Sequence, residues 1–170
     1  MFTTKYDMHE IIPNLYLGNV ESANNIQKLK ELNIKKVLSI MNFDAPLYKP
    51  EDNINHKIIS IADMTTENII KYFGECLNFI KGEEKEKILV HCMAGASRSA
   101  TVVIAYLMWK EKKSVHDELN FVNSKRSIFP NPGFLSQLKT FEKLLIENDY
   151  DINKINFEEI KWERNNSNDS

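Results

Sequence analysis

The chain has 170 residues, with 22 Lys and Arg against 24 Asp and Glu, a formal charge of −2 and a pI near 6.1. That balance supplies no global field for nucleic acid or an anionic membrane, and we expect neither as a partner. With 42% hydrophobic and 27% charged residues, it reads as one ordinary globular domain with a real core. The first predicted element, residues 11–19 (IIPNLYLGN), is an edge strand or hairpin, because Pro13 cannot sit in a central ladder. Residues 22–32 (SANNIQKLKEL) read as a helix capped by Ser22, followed by a strand at 35–41 (KKVLSIM). A second strand runs over 56–62 (HKIISIA), then a helix over 65–82 with a threonine cap and Gly82 at its end. A third strand, 87–92 (KILVHC), follows the solvated turn GEEKEK, and three helices follow it over 97–112, 114–126 and 132–148.

The strands are short and nearly continuous in apolar character, as strands covered on both faces are. Alternation with helices gives an α/β domain, a small central and mainly parallel sheet flanked by helices. We expect a lead-in over residues 1–8, the main domain over 9–148, and an extension over 149–170. In that extension Trp162 suggests packing back onto the domain, and 164–170 reads as frayed. The longest apolar run, residues 100–109 (ATVVIAYLMW), is too short to span a bilayer and suits a central packed helix. No secretory signal is evident and Phe2 argues against N-myristoylation. Cys76 and Cys92 make no disulfide framework, which points to a reducing compartment, first the cytoplasm, with the nucleus also open.

Ligands of such a sheet bind outside the carboxyl ends of its strands, where residues 91–99 (HCMAGASRS) lie. A strand–loop–helix junction offers free backbone N–H groups and the positive end of a helix dipole. Gly95 frees the backbone, Ala94 and Ala96 keep the loop uncrowded, and Met93 to Ser97 together form an anion-binding nest. A substrate phosphate is one anion that would suit it, and the same field favours negative charge on the Cys92 sulfur. Arg98 follows at Cys-x5-Arg, so its planar fork can grip two oxygens of the phosphate that Cys92 attacks. Each residue alone has a bland reading: a core cysteine, a surface ion-pair arginine, a turn glycine. Their convergence at one junction favours a nucleophile, a cradle and a clamp.

HCMAGASRS resembles the active-site motif of the cysteine-dependent protein tyrosine phosphatases, and more narrowly of the dual-specificity phosphatases. Similarity extends to AYLM at 105–108, the opening IIPNLYLGN, the segment around 63–73, and R-x3-PNPGFLSQL from Arg126. It covers residues 9–146, and no kinase-docking module precedes it, so the chain resembles the small atypical members. The resemblance implies two steps: in-line attack by Cys92 to a cysteinyl phosphate, then hydrolysis, with no metal or other cofactor.

One carboxylic acid must protonate the leaving oxygen and later deprotonate water. Asp44 and Asp63 both follow strands at the active edge, and the pattern alone leaves both open; the resemblance selects Asp63. It also implies that the Ser99 hydroxyl serves the Cys92 sulfur and that Asn131 supports the active-site loops, although PNPG would suit a plain turn equally. His91 at a strand end reads as a buried group orienting the loop. Arg126 is left open between a helix-end cation and a surface contact. Cys76, inside a helical apolar pattern, reads as core, and His9, His56 and His116 do not fall at metal-ligand spacings.

The expected substrate is a phosphoprotein, with a mitogen-activated protein kinase named by family resemblance only. Hydrolysis of phosphotyrosine and of phosphoserine or phosphothreonine implies a shallow pocket. Two alternatives stand beside it. A phosphatase of phosphoinositides or RNA 5′ ends would gain from lysine inside the loop, which has none. An inactive phosphopeptide-binding module would have lost the nucleophile, which is present.

Overall fold

The structure, a computed structural model, describes residues 7–83 and 85–162. The expected fraying of 164–170 and most of the expected lead-in lie outside the described residues. Pro13 and Asn14 form the turn of an antiparallel hairpin, β1 (Met8–Ile12) and β2 (Leu15–Gly18), with Asn14 in the left-handed region at φ 72°. Proline is thus kept out of the ladder, and β2 is free to pair on its other side. The three apolar runs become β3 (Ile34–Ile40), β4 (Asn55–Ile59) and β5 (Lys87–His91). Strand order is β1-β2-β5-β3-β4, parallel everywhere except within the hairpin. The carboxyl ends of β3, β4 and β5 therefore open onto one edge, where the loops at 41–48, 60–69 and 92–97 meet.

Two sequence expectations for helices fail, both through competition for backbone groups. Residues 22–32 form two short helices, α1 (Val20–Asn24) and α2 (Ile26–Glu31), not one. Asn19 and Asn25 accept from the N–H groups of Ser22 and Lys28, so each asparagine starts its own helix. Ser22 is no cap; it is buried inside α1 and donates to the Asp7 carbonyl at 2.6 Å. In residues 65–82 only α3 (Phe73–Lys81) is helical, entered through a 3-10 turn at Ile70–Tyr72, and no threonine caps it. Gln137 takes the intervening backbone instead, accepting from Ile70 N–H at 3.0 Å and donating to the Glu67 carbonyl at 2.9 Å. Gly82 ends α3 at φ 39°, as expected.

The remaining helices are α4 (Arg98–Glu111), α5 (Val115–Lys125) and α6 (Pro132–Glu147). Ser114 and Asn131, read as helix ends or turns, cap α5 and α6 by accepting from Asp117 and Phe134 N–H. Helix α4 is the central packed helix: every residue from Ser99 to Ala105 is 0% exposed. It lies between the sheet and α3, α5 and α6, so the loop that precedes it is set on rigid elements. Phe73, Phe134 and Phe141 fill the same core, and truncating one to alanine costs ~3–5 kcal/mol at such sites. A second, smaller core lies on the opposite face of the sheet, under α1 and α2. The C-terminal segment packs back: Phe157 covers Gly74, and Trp162 is half-buried against the main core.

Candidate active site

Residues 92–97 wrap around the start of α4. Gly95 adopts φ 67°, and a Cβ there would fall on the Gly18 carbonyl at the end of β2. Only glycine combines that conformation with that approach. Cys92 is 2% exposed, and its Sγ lies 3.0 Å from the Ser99 hydroxyl in the first turn of α4.

The fork of Arg98 is divided. Its Nη1 donates to the Asn42 side chain at 3.1 Å and to the Ile61 carbonyl at 3.0 Å. Its Nε is buried and meets no hydrogen-bond partner among the described residues. Leaving such a donor unmet costs about 1–3 kcal/mol. The Nε and Nη2 protons form the parallel side-on pair of a guanidinium, the pair that fits two oxygens of one oxyanion. Asn42 and Ile61 hold the arginine through Nη1, which lies outside that pair.

Arg126, left open by sequence, is the second arginine of the site and has a defined place. Its side chain is 4% exposed. Nε donates to the Gly95 carbonyl at 2.8 Å and Nη2 to the Ala94 carbonyl at 3.0 Å, while Nη1 and Nη2 grip the two oxygens of Asp7 at 2.9 and 3.1 Å. Carbonyls held outward leave the loop's amides free to face inward. Arg126→Met is expected to lower kcat/KM on all phosphomonoesters alike, by about 10²-fold, with the melting transition retained. Unchanged kinetics would show that the loop keeps its shape unaided.

Asp63 and Asn131 meet over the loop. Ser97 Oγ donates to Asp63 Oδ1 at 2.7 Å, Asn131 Nδ2 donates to the same oxygen at 2.8 Å, and Asn131 N–H donates to Ser97 Oγ at 3.0 Å. Asn131 is therefore both a helix cap and a link to the acid loop. A Cβ at Gly133 would strike the Thr65 carbonyl, so glycine there lets α6 approach that loop. Asp44, the other candidate acid, makes none of these contacts.

His91 is fully buried at the end of β5. Its Nδ1 lies 3.0 Å from the Cys92 carbonyl, and its Nε2 lies 2.5 Å from Ser39 Oγ, which in turn lies 2.7 Å from His56 Nε2. A carbonyl only accepts, so Nδ1 carries the proton. Ser39 then donates to the neutral Nε2 and accepts from His56. Burial drives the His91 pKa down to about 4, against the Cys92 carbonyl bond, and His56 and Arg98 lower it further.

The unfolded imidazole takes its proton near 6.5 and the folded one only near 4, so the unfolded state gains wherever it alone is protonated. Stability from this group is whole above pH 6.5 and falls as pH drops toward 4, by up to about 3 kcal/mol. Denaturant titrations at several pH values should show that loss, and His91→Asn should flatten it.

Cys76 is fully enclosed in α3, where burial pushes its thiol up to about 12; it is core, as expected. Among the described residues no group of three or more His, Cys, Asp and Glu side chains could hold a metal, and no helix is long and apolar enough to cross a membrane.

The family model "Dual specificity phosphatase, catalytic domain" matches residues 15–144. This chain belongs to that family. It is a cysteine-dependent protein phosphatase, and its five-stranded sheet with flanking helices is the fold of that group. Dual specificity protein phosphatase 1B of Arabidopsis thaliana is 41% identical to it over 140 residues, covering 81% of this chain and 83% of that protein. MAP kinase phosphatase with leucine-rich repeats protein 1 of Dictyostelium discoideum is 46% identical over 135 residues, covering 78% of this chain but 16% of that protein. Among solved structures, DUSP15 superposes with TM-score 0.73 at 34% identity over 82% of this chain and 95% of its own. The human tyrosine phosphatase-like serine/threonine/tyrosine-interacting protein superposes with TM-score 0.77 at 34% identity, covering 84% and 99%.

Sequence reasoning missed Asn42, Ser39 and Asp7 in the site of this phosphatase. Ser39 sits inside the apolar run of β3, which hid it, and Asn42 lies in the loop two residues beyond that strand. Asp7 sits 119 positions from Arg126, a pairing that no local pattern announces.

Proposed function

We propose that this phosphatase hydrolyses phosphotyrosine and phosphoserine or phosphothreonine on proteins through Cys92, with Arg98 and the loop 93–97 as cradle and Asp63 as acid and base. The observation that carries the assignment is the side-on edge of Arg98, its Nε buried and unpartnered among the described residues, together with a cysteine whose Sγ lies 3.0 Å from the Ser99 hydroxyl. In the first step the Cys92 sulfur, as thiolate, forms a bond to phosphorus in line with the leaving oxygen. The P–O bond breaks, and Asp63 passes its proton to that oxygen. In the second step water attacks the phosphorus, Asp63 takes the water's proton, and the P–S bond breaks. The Ser99 hydroxyl donates to the departing sulfur. Amides of the loop and Arg98 hold the equatorial oxygens throughout.

A phosphoprotein fits better than a polyanionic lipid or RNA end because the loop carries no lysine and both arginines are buried. A mitogen-activated protein kinase is the particular phosphoprotein we place first, on the name of the Dictyostelium relative. Phosphotyrosine and phosphothreonine peptides should be hydrolysed in the presence of a chelator. Faster release from a soluble phosphoinositide or an RNA 5′ end than from any peptide would replace this reading.

The acid assignment has its own check. Asp63→Asn should depress kcat for poor leaving groups by about 10²–10³-fold, and far less for an activated aryl phosphate that needs no proton. If Asp44→Asn shows that pattern instead, the acid is Asp44.

A further inference from the structure

Seven large apolar side chains stand exposed among the described residues, and four of them stand on the loops that carry Asn42, Asp63, Cys92 and Asn131. Phe43 (59% exposed) follows Asn42, which holds Arg98, and Met64 (57%) follows Asp63. Met93 (39%) lies in the loop itself. Phe129 is 80% exposed, and its N–H donates to the Ala96 carbonyl at 2.7 Å. Each stands on a different loop, and none is used by the chemistry above. Scattered exposed hydrophobics need no explanation, but a cluster around a pocket marks a contact surface.

Charge points the same way. Residues 41–48, 61–69, 92–97 and 127–131 contain Asp44, Asp63 and Glu67 and no lysine or arginine. Both nearby arginines face inward, at 8% exposed for Arg98 and 6% for Arg126. A substrate that places acidic side chains beside its phosphoresidue would meet carboxylates and no lysine or arginine on these four segments.

We propose that Phe43, Met64, Met93 and Phe129 select the substrate: a phosphoprotein segment with apolar side chains immediately flanking the phosphoresidue. This rests on the phosphatase reading and deepens it. The flanking side chains lose water against the rim as the phosphate enters the pocket, so selection falls on kcat/KM of peptides and not on small esters. The rim stands on the loops that carry the site residues, and its acidic groups count against an anionic bilayer as its occupant.

The test uses phosphotyrosine peptides of one length whose neighbours are leucine and phenylalanine, serine and glycine, or glutamate. Expected kcat/KM falls in that order, by roughly tenfold or more between the ends, and added salt narrows only the glutamate penalty. Phe43→Ser with Phe129→Ser should bring apolar-flanked peptides down to the serine-flanked level and leave aryl phosphate hydrolysis unchanged. Phe129→Lys should raise activity on glutamate-flanked peptides.

Equal kcat/KM across the series overturns the proposal while aryl phosphate turnover keeps the phosphatase reading intact. An equal loss on peptides and aryl phosphate in the serine variant also overturns it, because the rim would then be structural. Phosphatidylcholine vesicles carrying a phosphoinositide, hydrolysed faster than any peptide and lost in the serine variant, would reassign the rim to a lipid surface.

Discussion

Cys92→Ser is expected to abolish turnover on every phosphomonoester, a fall in kcat on the order of 10⁴-fold or more, while phosphopeptide binding survives. The replacement exchanges one buried atom, 3.0 Å from the Ser99 hydroxyl, and leaves the cradle as it is. Neither Arg98, held by Asn42 and Ile61, nor Arg126, held by Asp7, relies on the sulfur for position. Binding and chemistry therefore separate. A serine hydroxyl at this place has no neighbouring base: His91 faces the Cys92 carbonyl and Ser39 instead of the side chain, and Asp63 is engaged by Ser97 and Asn131. Sulfur is intrinsically a strong nucleophile, and an alcohol with no base beside it is not. Stopped assays of phosphate release, paired with calorimetric binding of a phosphopeptide, read the two effects. Residual turnover above about a hundredth of wild type would remove Cys92 as nucleophile.

The legible part of this chain is the part written in local chemistry. Strands β3, β4 and β5 were visible because each is a short apolar run closed by polar residues, and Pro13 marked its segment as an edge strand or hairpin. The HCMAGASRS loop was visible because its residue types are useless together except around an oxyanion. Helix boundaries at 22–32 and 65–82 were not, since both were decided by side chains competing for backbone groups, which apolar periodicity does not show. Asn19 and Asn25 outbid a continuous helix from within a few residues. Gln137 removed the first turns of the other from 67 positions away.

The same divide runs through the site. Cys92, Arg98 and Ser99 share one loop and one helix turn, so a spacing suffices to place them. Asp63 needed the family pattern to prevail over Asp44, because position after a strand is common to both and only the Ser97 and Asn131 contacts distinguish them. Arg126 shows the limit most clearly. A cation at a helix end is ordinary, and its burial depends on Asp7 arriving from the far end of the chain to neutralise it. Sequence offers the residue; only the fold brings the counter-charge that keeps it beneath the loop.

Arg98→Lys keeps the charge and is nevertheless expected to lower kcat/KM by about 10³-fold, as steady-state kinetics on an aryl phosphate would read. Two losses combine. The side-on Nε and Nη2 pair, which holds two oxygens at fixed spacing while charge spreads over them, becomes a single rotatable ammonium. The anchor fails as well, because Nη1 fills the Asn42 side-chain oxygen and the Ile61 carbonyl. Lysine cannot serve those acceptors and the anion together, so either the phosphate or the anchors go unmet. The order of the effects separates them: loss of transition-state contact lowers kcat, and a wandering ammonium raises KM. Asn42→Ala, which frees the anchor and keeps the fork, should show the second effect with little of the first. Near-normal kcat/KM in Arg98→Lys would mean that positive charge alone suffices, and the fork would lose its assigned role.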